Sequence, residues 1–114
     1  MALKMVNRDV DGMTVLALDG RIVFGEETNA LRETVKGLLA EGKKKLVLDM
    51  DHVPYLDSQG IGTLVGVYCS AKSQGASLRL CSVSPRCKEL LGLMIPGVIE
   101  IFDTEADAVR SSSR

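Results

Sequence analysis

The chain has 114 residues, of which 46% are hydrophobic and 25% are charged, a composition close to the average for soluble globular domains. Fourteen basic and fifteen acidic residues give a net charge of -1, and aromatic residues make up only 4% of the chain. This length suits one domain with its own core, and the near-neutral charge with few stacking side chains argues against direct binding of nucleic acid.

The first part of the chain predicts a hairpin and a helix. Residues 3–10 and 13–22 are predicted to pair as two strands, because the Asp-Gly dipeptide between them favours a tight hairpin turn. Residues 28–41 carry apolar side chains at positions i, i+4, i+7 and i+8, which is one face of a helix. These are Leu31, Val35, Leu38 and Leu39. Gly42 supplies the stop signal of this helix.

Strand and helix patterns alternate in the rest of the chain. Three short apolar runs predict strands, namely residues 45–50, 78–83 and 98–102. Between the first two, a helix is predicted to start near Ser58, with a buried stripe formed by Ile61, Leu64, Val65 and Tyr68. Alternation after an initial hairpin predicts an α/β domain, with a mixed sheet of about five strands and about four helices.

Two more helix starts are visible as capping signals. Ser84 precedes a proline, which suits a cap followed by the first helical turn. The predicted apolar face of this helix comprises Leu90, Leu91 and Met94. Thr104 and Asp107 have the spacing of an acidic variant of the capping box, and therefore predict a terminal helix.

The ends of the chain and its cysteines indicate the domain boundaries and the cellular compartment. We predict one domain over residues 1–110 and a disordered tail at 111–114, where serines predominate. No window approaches the ~20 apolar residues of a membrane span, and the N-terminus lacks the apolar segment of a secretion signal, so we expect a cytoplasmic protein. Three cysteines without a C-x-x-C pair indicate reduced thiols rather than a disulfide framework or a zinc site.

The stretch YLDSQGIGTL, residues 55–64, contains the candidate functional residue Ser58. In an α/β sheet, functional groups gather where strands end, and Asp57 and Ser58 follow the third predicted strand. A helix N-terminus offers free backbone N-H groups and partial positive charge, which suit a capping hydroxyl and suit a phosphate. Capping is the commoner role of an isolated serine or aspartate at such a position.

Three glycines follow Ser58 in or beside the predicted helix: Gly60, Gly62 and Gly66. Each interior glycine costs a helix about 1 kcal/mol relative to alanine. Gly62 and Gly66 share a face with Cys69 or Ser70 and with Ser73, all small. Two interpretations remain open, of which the commoner is close packing of the helix on its own sheet. The other is a smooth surface for a partner.

The sequence YLDSQGIGTLVGVY, preceded by KKLVLDMDHV and followed by GASLRLCSVSPRCKELL, resembles the STAS domain of bacterial anti-sigma factor antagonists, whose motif is D-S-[ST]-G-[LI]-G. The resemblance covers nearly the whole chain. It implies that the protein binds an anti-sigma factor with serine kinase activity and so regulates sigma-factor-dependent transcription. It also implies that phosphorylation of Ser58 stops this binding, that a metal-dependent serine phosphatase restores it, and that no cofactor is required.

The resemblance also implies which residues contact the partner. Those in and beside the motif are Asp57, Ser58, Gln59, Gly60, Gly62 and Thr63. Gln59 stands where the family usually has a second hydroxyl, which leaves Ser58 as the sole acceptor of the motif. The loop IVFGEET lacks the Leu-Asp pair of the sporulation members and is a residue longer. We therefore expect Glu26 or Glu27 to contact the partner in place of that pair.

Three other sequence features allow alternative functions. His52 is the single histidine, and Ser58 has no evident base to activate it, so an enzyme is not expected. Asp49 and Asp51 resemble a magnesium-binding pair, but strand-end acids commonly cap turns. Cys87 is more often a buried thiol than a reactive one in such a place. The alternative within the same fold is a STAS subunit of a lipid-transport or stress-sensing complex, without a phospho-switch.

Overall fold

A five-stranded mixed sheet with helices on both faces organises residues 3–111, the part of the chain that the computed structural model describes. The strands are β1 Lys4–Val10, β2 Met13–Asp19, β3 Lys45–His52, β4 Ser77–Cys81 and β5 Ile101–Phe102. The helices are α1 Glu26–Ala40, α2 Ser58–Ser73, α3 Pro85–Met94 and α4 Glu105–Arg110. The predicted α/β class, with its mixed sheet and four helices, is confirmed.

The strands lie in chain order across the sheet, β1-β2-β3-β4-β5. Strand β1 pairs antiparallel with β2, and the remaining neighbours are parallel. The hairpin turn is made by Asp11 and Gly12, whose φ angles of 50° and 83° are those of a tight primed turn. Each later crossover passes through a helix, so the carboxyl ends of β2, β3 and β4 lie at one edge of the sheet.

Two apolar clusters fill the two faces of the sheet. The larger one lies under α1, α2 and α3, and the smaller one lies under α4. Strand β2 contributes to both, with Leu16 and Leu18 on the larger side and Met13 and Val15 on the smaller. Strand β2 therefore lacks the apolar-polar alternation of a strand with one solvent-facing side, because helices cover both of its faces.

Helix α1 buries the four predicted residues, whereas α2 is rotated relative to its predicted stripe. Ile61 and Leu64 are buried as expected, but Val65 and Tyr68 are only half-buried. The buried stripe continues instead through Val67 and Ala71. Helix α2 packs on both α1 and β4, and these two contacts fix a rotation that spacing within the helix does not specify.

Helix α3 begins as predicted but presents a different side to the core. The Ser84 hydroxyl accepts a hydrogen bond from the Cys87 backbone N-H at 3.2 Å, which confirms the cap. Cys87 and Leu91 are buried, and the Cys87 thiol lies 3.8 Å from the Val53 carbonyl oxygen. The expectation that Met94 is buried was wrong, since this side chain is 51% exposed.

The last helix, α4, is also capped as predicted, because Thr104 Oγ1 accepts a hydrogen bond from the Asp107 N-H at 3.1 Å. Its C-cap is Ser111, whose hydroxyl donates to the Ala108 carbonyl at 2.9 Å. Residues 112–114 of the predicted tail lie outside the described residues. Within residues 3–111, every helix is too short or too polar to cross a membrane.

Candidate functional site

The segment that leads into α2 is joined to the segment that follows β2. Ile22 and Leu56 form an isolated parallel bridge. The Ile22 N-H donates to the Tyr55 carbonyl at 3.1 Å, and the Asp57 N-H donates to the Ile22 carbonyl at 3.4 Å. The start of α2 and the loop before α1 therefore lie side by side at the carboxyl edge of the sheet. The position of Asp57 and Ser58 at this edge agrees with the sequence prediction.

Asp57 caps α2 and also holds the neighbouring loop. Its backbone is extended, with φ -100° and ψ -179°, and its Oδ1 accepts a hydrogen bond from the Gly60 N-H at 2.7 Å. Its Oδ2 accepts one from the Phe24 N-H at 3.0 Å. The capping role, which the sequence left open for a serine or an aspartate here, therefore belongs to Asp57. This residue has the extended backbone that a cap requires, whereas Ser58 is already the first helical residue.

The pKa of Asp57 reflects this double role. Burial raises the pKa of the carboxyl, but hydrogen bonds from the backbone N-H groups of Phe24, Gly60 and Gln59 lower it more in total, so the net pKa lies below the usual range of aspartate. Hydrogen bonds to a carboxylate favour its charged form. Asp57 is thus ionised at neutral pH and places a fixed negative charge beside Ser58.

Ser58 is exposed at the first position of α2. Among residues 3–111, no group forms a hydrogen bond with its hydroxyl. Gln59 next to it is exposed as well. The hydroxyl that the motif singles out has no part in holding the helix or the loop, and it is accessible to another protein.

The motif glycines occupy different surroundings. A Cβ atom on Gly60 would lie 2.0 Å from the Ile22 carbonyl oxygen, which is far inside contact distance. Gly62 and Gly66 are exposed, and no heavy atom outside the local helix lies within 4 Å of a Cβ built on either. Close packing on the sheet, the commoner of the two interpretations, is therefore wrong for Gly62 and Gly66. At Gly60 the close contact is with the loop that contains Ile22, not with the sheet.

The remaining predicted contact residues lie around Ser58 at different depths. Glu26 is exposed and Glu27 half-buried in the first turn of α1. Thr63 is only 6% exposed, and its hydroxyl donates to the Gln59 carbonyl at 2.9 Å and accepts from Arg32 Nη2 at 3.3 Å. Thr63 thus fastens α2 to α1 from within, and a contribution of its side chain to a partner contact is indirect.

Four residues near Ser58 were not singled out as site residues in the sequence. Phe24, in the loop bound to Asp57, is 74% exposed. Tyr55, Arg86 and Met94 share a groove of about 450 Å³ with Ser58, and Arg86 lies over the Tyr55 ring at 5.5 Å from its centre. Phe24 is one of only two phenylalanines in the chain. Its place in the predicted loop IVFGEET is a sequence signal that could have identified it. The groove joins α2 to α3 and has no sequence signature.

The residues considered for metal binding or catalysis lie elsewhere. Asp49 Oδ1 accepts a hydrogen bond from the Asp51 N-H at 3.0 Å, as in a turn cap. His52 is exposed, and its Nε2 lies 3.6 Å from Asp51. No group of three or more metal-ligating side chains occurs within the described residues. Cys81 is buried beneath α4, where desolvation and the nearby Asp49 raise the pKa of its thiol to about 11.

Residues 4–108 match the model of the STAS domain family. The chain therefore belongs to the STAS domain family. The anti-sigma-B factor antagonist of Bacillus subtilis is 38% identical to it over 68 residues, which cover 60% of this chain and 61% of that protein.

Solved structures share the fold at lower identity. The protein TM1081 of Thermotoga maritima superposes with a TM-score of 0.88 at 23% identity, covering 96% of this chain and 95% of that one. The Bacillus cell fate determinant SpoIIAA in its phosphorylated form superposes with a TM-score of 0.72 at 15% identity, covering 96% of this chain and 98% of that one. These structures show that the fold of this chain is shared at low sequence identity.

Proposed function

We propose that this protein is an anti-sigma factor antagonist. In its unphosphorylated form it binds an anti-sigma factor through the surface around Ser58, and phosphorylation of Ser58 stops that binding. The protein is a binding partner and not an enzyme. It acts in the cytoplasm, where the sigma factor is set free to direct transcription.

The observation that carries the proposal is the division of roles between Asp57 and Ser58. Asp57 makes the structural hydrogen bonds of the helix start, so the neighbouring hydroxyl is left exposed and without a structural role. A residue that serves only as a cap would use its side chain for the cap. The relatives named as anti-sigma factor antagonists support the same conclusion.

Phosphorylation changes this surface without requiring the domain to unfold. A phosphoserine carries about -1.5 to -2 charges at pH 7, and it would stand beside the ionised Asp57 and near the exposed Phe24. The positive end of α2 tolerates the phosphate locally. A partner that places acidic groups against this region would be repelled by the phosphate, and one that places apolar groups there would have to remove water from it. A loss of about 1.4 kcal/mol in binding free energy already lowers the affinity tenfold.

Two partners act on Ser58 in turn. The anti-sigma factor binds the surface formed by the first turn of α2 and the loop before α1, including Asp57, Gln59, Gly62, Glu26 and Glu27 together with Ser58. The same partner, acting as a serine kinase, transfers the phosphoryl group of ATP to Ser58 Oγ and releases ADP. A metal-dependent serine phosphatase hydrolyses the phosphoserine and restores the binding form.

The test is reconstitution with the anti-sigma factor that co-purifies from the native cell. Wild-type protein incubated with this partner and ATP should gain one phosphate at Ser58 by mass spectrometry, and Ser58→Ala should gain none while still binding. Ser58→Asp should bind at least about tenfold more weakly, because it adds a second negative charge beside the ionised Asp57.

The matched control is Gln74→Glu, which adds one negative charge at the exposed C-cap of α2, at the end of the helix opposite Ser58. It should bind like wild type. If no phosphate enters Ser58 and the variants Ser58→Asp and Gln74→Glu bind equally well, the switch is refuted. Recovery of a membrane lipid-transport complex in place of an anti-sigma kinase would instead support the alternative role of a STAS subunit without a phospho-switch.

A further inference from the structure

The groove between α2 and α3 is lined by a positively charged side chain, Arg86, as well as by Ser58, the predicted phosphorylation site. Its lining includes Ser58 and Asp57 from the start of α2, Arg86 and Glu89 from α3, and the Tyr55 ring before α2. We infer that Arg86 binds the phosphoryl group of phosphorylated Ser58 in this groove. The inference rests on the proposed function for the presence of the phosphate, and names a residue that receives it.

Arg86 is held over the groove and has no acidic partner there. Its guanidinium carbon lies 5.5 Å from the centre of the Tyr55 ring, in the position of a cation-π contact. Among residues 3–111, no carboxylate lies within ion-pair distance of it. A guanidinium that stacks on a ring keeps its N-H groups at the edge of its plane free to donate. The stacking therefore presents the donors without consuming them.

The position of Arg86 along its helix is unfavourable without such a ligand. It is the second residue of α3, and the first turn of this helix has no acidic residue. The N-terminus of a helix carries partial positive charge and favours anions, so an arginine there opposes the dipole. A local rule broken in this way is typical of a functional position. An incoming phosphate would compensate both the arginine and the helix end.

Two carboxylates face the same groove and weaken the binding of a phosphate by Arg86. Asp57 and Glu89 both line it, and each repels a phosphate. Arg86 donates two N-H groups in a planar fork, which matches the geometry of phosphate oxygens. The phosphate held by Arg86 then occupies part of a groove of about 450 Å³. Phosphorylation thus changes the shape of the partner surface as well as adding charge to it.

The experiment uses protein into which phosphoserine has been incorporated at position 58 by genetic encoding, so that no kinase is needed. The pH titration of its ³¹P resonance reports the second pKa of the phosphate. We expect this pKa to rise by about half a unit or more in Arg86→Gln, because a nearby cation favours the dianion. Arg86→Lys, which keeps the charge but not the fork, should give a smaller rise.

The matched control is Lys88→Gln, which removes one positive charge from the same part of α3 while its own ion pair is with Asp103. It should leave the phosphate pKa close to that of the wild type. If Arg86→Gln shifts the pKa no more than Lys88→Gln does, the inference is wrong. Because phosphoserine is incorporated directly, this outcome is independent of whether an anti-sigma kinase exists, which the reconstitution experiment decides.

Discussion

Gly60 and Gly62 are two residues apart in one helix and face opposite surroundings. At Gly60 the loop after β2 approaches so closely that a Cβ atom would stand 2.0 Å from the Ile22 carbonyl oxygen. At Gly62 the helix surface is open. The inner side of α2 is a packed joint between the helix start and the loop, whereas the outer side is a bare surface that nothing in the described chain covers.

This contrast separates two reasons for glycine within one motif. Gly60 is required by a backbone contact inside the chain, and it therefore concerns folding. Gly62 weakens the helix by about 1 kcal/mol relative to alanine, and no contact among residues 3–111 compensates for that loss. In the proposed function this outer surface faces the anti-sigma factor, where the absence of a side chain permits close approach. Substitution by alanine should therefore lower the free energy of unfolding at Gly60 and raise it at Gly62.

The largest effect is expected from Gly60→Ala. The added methyl group must displace the Ile22 backbone, and that movement also strains the hydrogen bond from the Phe24 N-H to Asp57. We expect a loss of about 3 kcal/mol in the free energy of unfolding, the upper end of the usual range for overpacking. Urea denaturation measures it. A loss below about 0.5 kcal/mol would show that the loop yields easily and that the two sides of α2 do not differ.

The next effect concerns Asp57, which belongs to the packed side. Asp57→Ala removes the acceptor of both the Gly60 N-H and the Phe24 N-H. We expect a loss of about 1 to 2 kcal/mol, the range for a strong helix cap. Asp57→Asn, which keeps an acceptor oxygen for capping, should lose less. Equal losses in both variants would contradict the assignment of the cap to this side chain.

The same carboxylate predicts a pH dependence. Because the pKa of Asp57 is lowered in the folded protein, its contribution to stability is fully present above the unfolded pKa of about 4. It is lost as the pH falls through the folded value. The stability of wild type should therefore decrease more steeply than that of Asp57→Ala below about pH 4. Parallel curves from thermal melts between neutral and acidic pH would refute this.

The outer side of α2 should respond in the other direction. Gly62→Ala places a methyl group in open space, within a helix that gains from alanine, and we expect about 0.5 to 1 kcal/mol of added stability. Gly66→Ala is the matched replicate, since it is equally open and lies one turn further along. Thermal melts measure both. Destabilisation at either position would mean that this surface is packed in solution.

The helix starts show what could be predicted from the sequence. The caps at Ser84 and Thr104 and the hairpin turn at Asp11 and Gly12 were predicted correctly because each depends on residues within three positions of one another. For α2 the sequence left the cap open between a serine and an aspartate, and the structure has Asp57. Both residue types cap helices well, and sequence patterns leave helix boundaries uncertain by a residue or two.

The contacts that build the site join residues far apart in sequence, and no local sequence pattern predicts them. Phe24 donates to Asp57 across 33 positions of sequence, and Gly60 meets Ile22 across a comparable separation. Arg86 reaches the groove of Ser58 from another helix altogether. The rotation of α2 likewise followed from its packing on α1 and β4. The sequence therefore indicated the candidate residue, Ser58, but not the neighbours that surround it.

The smallest expected effect is that of Ser58→Ala on stability, and it tests the division of roles most directly. If the Ser58 hydroxyl capped α2, its removal would cost about 0.5 to 2 kcal/mol. Because Asp57 makes the cap and the hydroxyl has no hydrogen bond within the described chain, we expect a change within about 0.5 kcal/mol, as for an ordinary surface substitution. Denaturant unfolding of Ser58→Ala, run beside Asp57→Ala, measures the difference. A loss as large as that of Asp57→Ala would return the serine to a structural role, and it would remove the main observation on which the proposed switch depends.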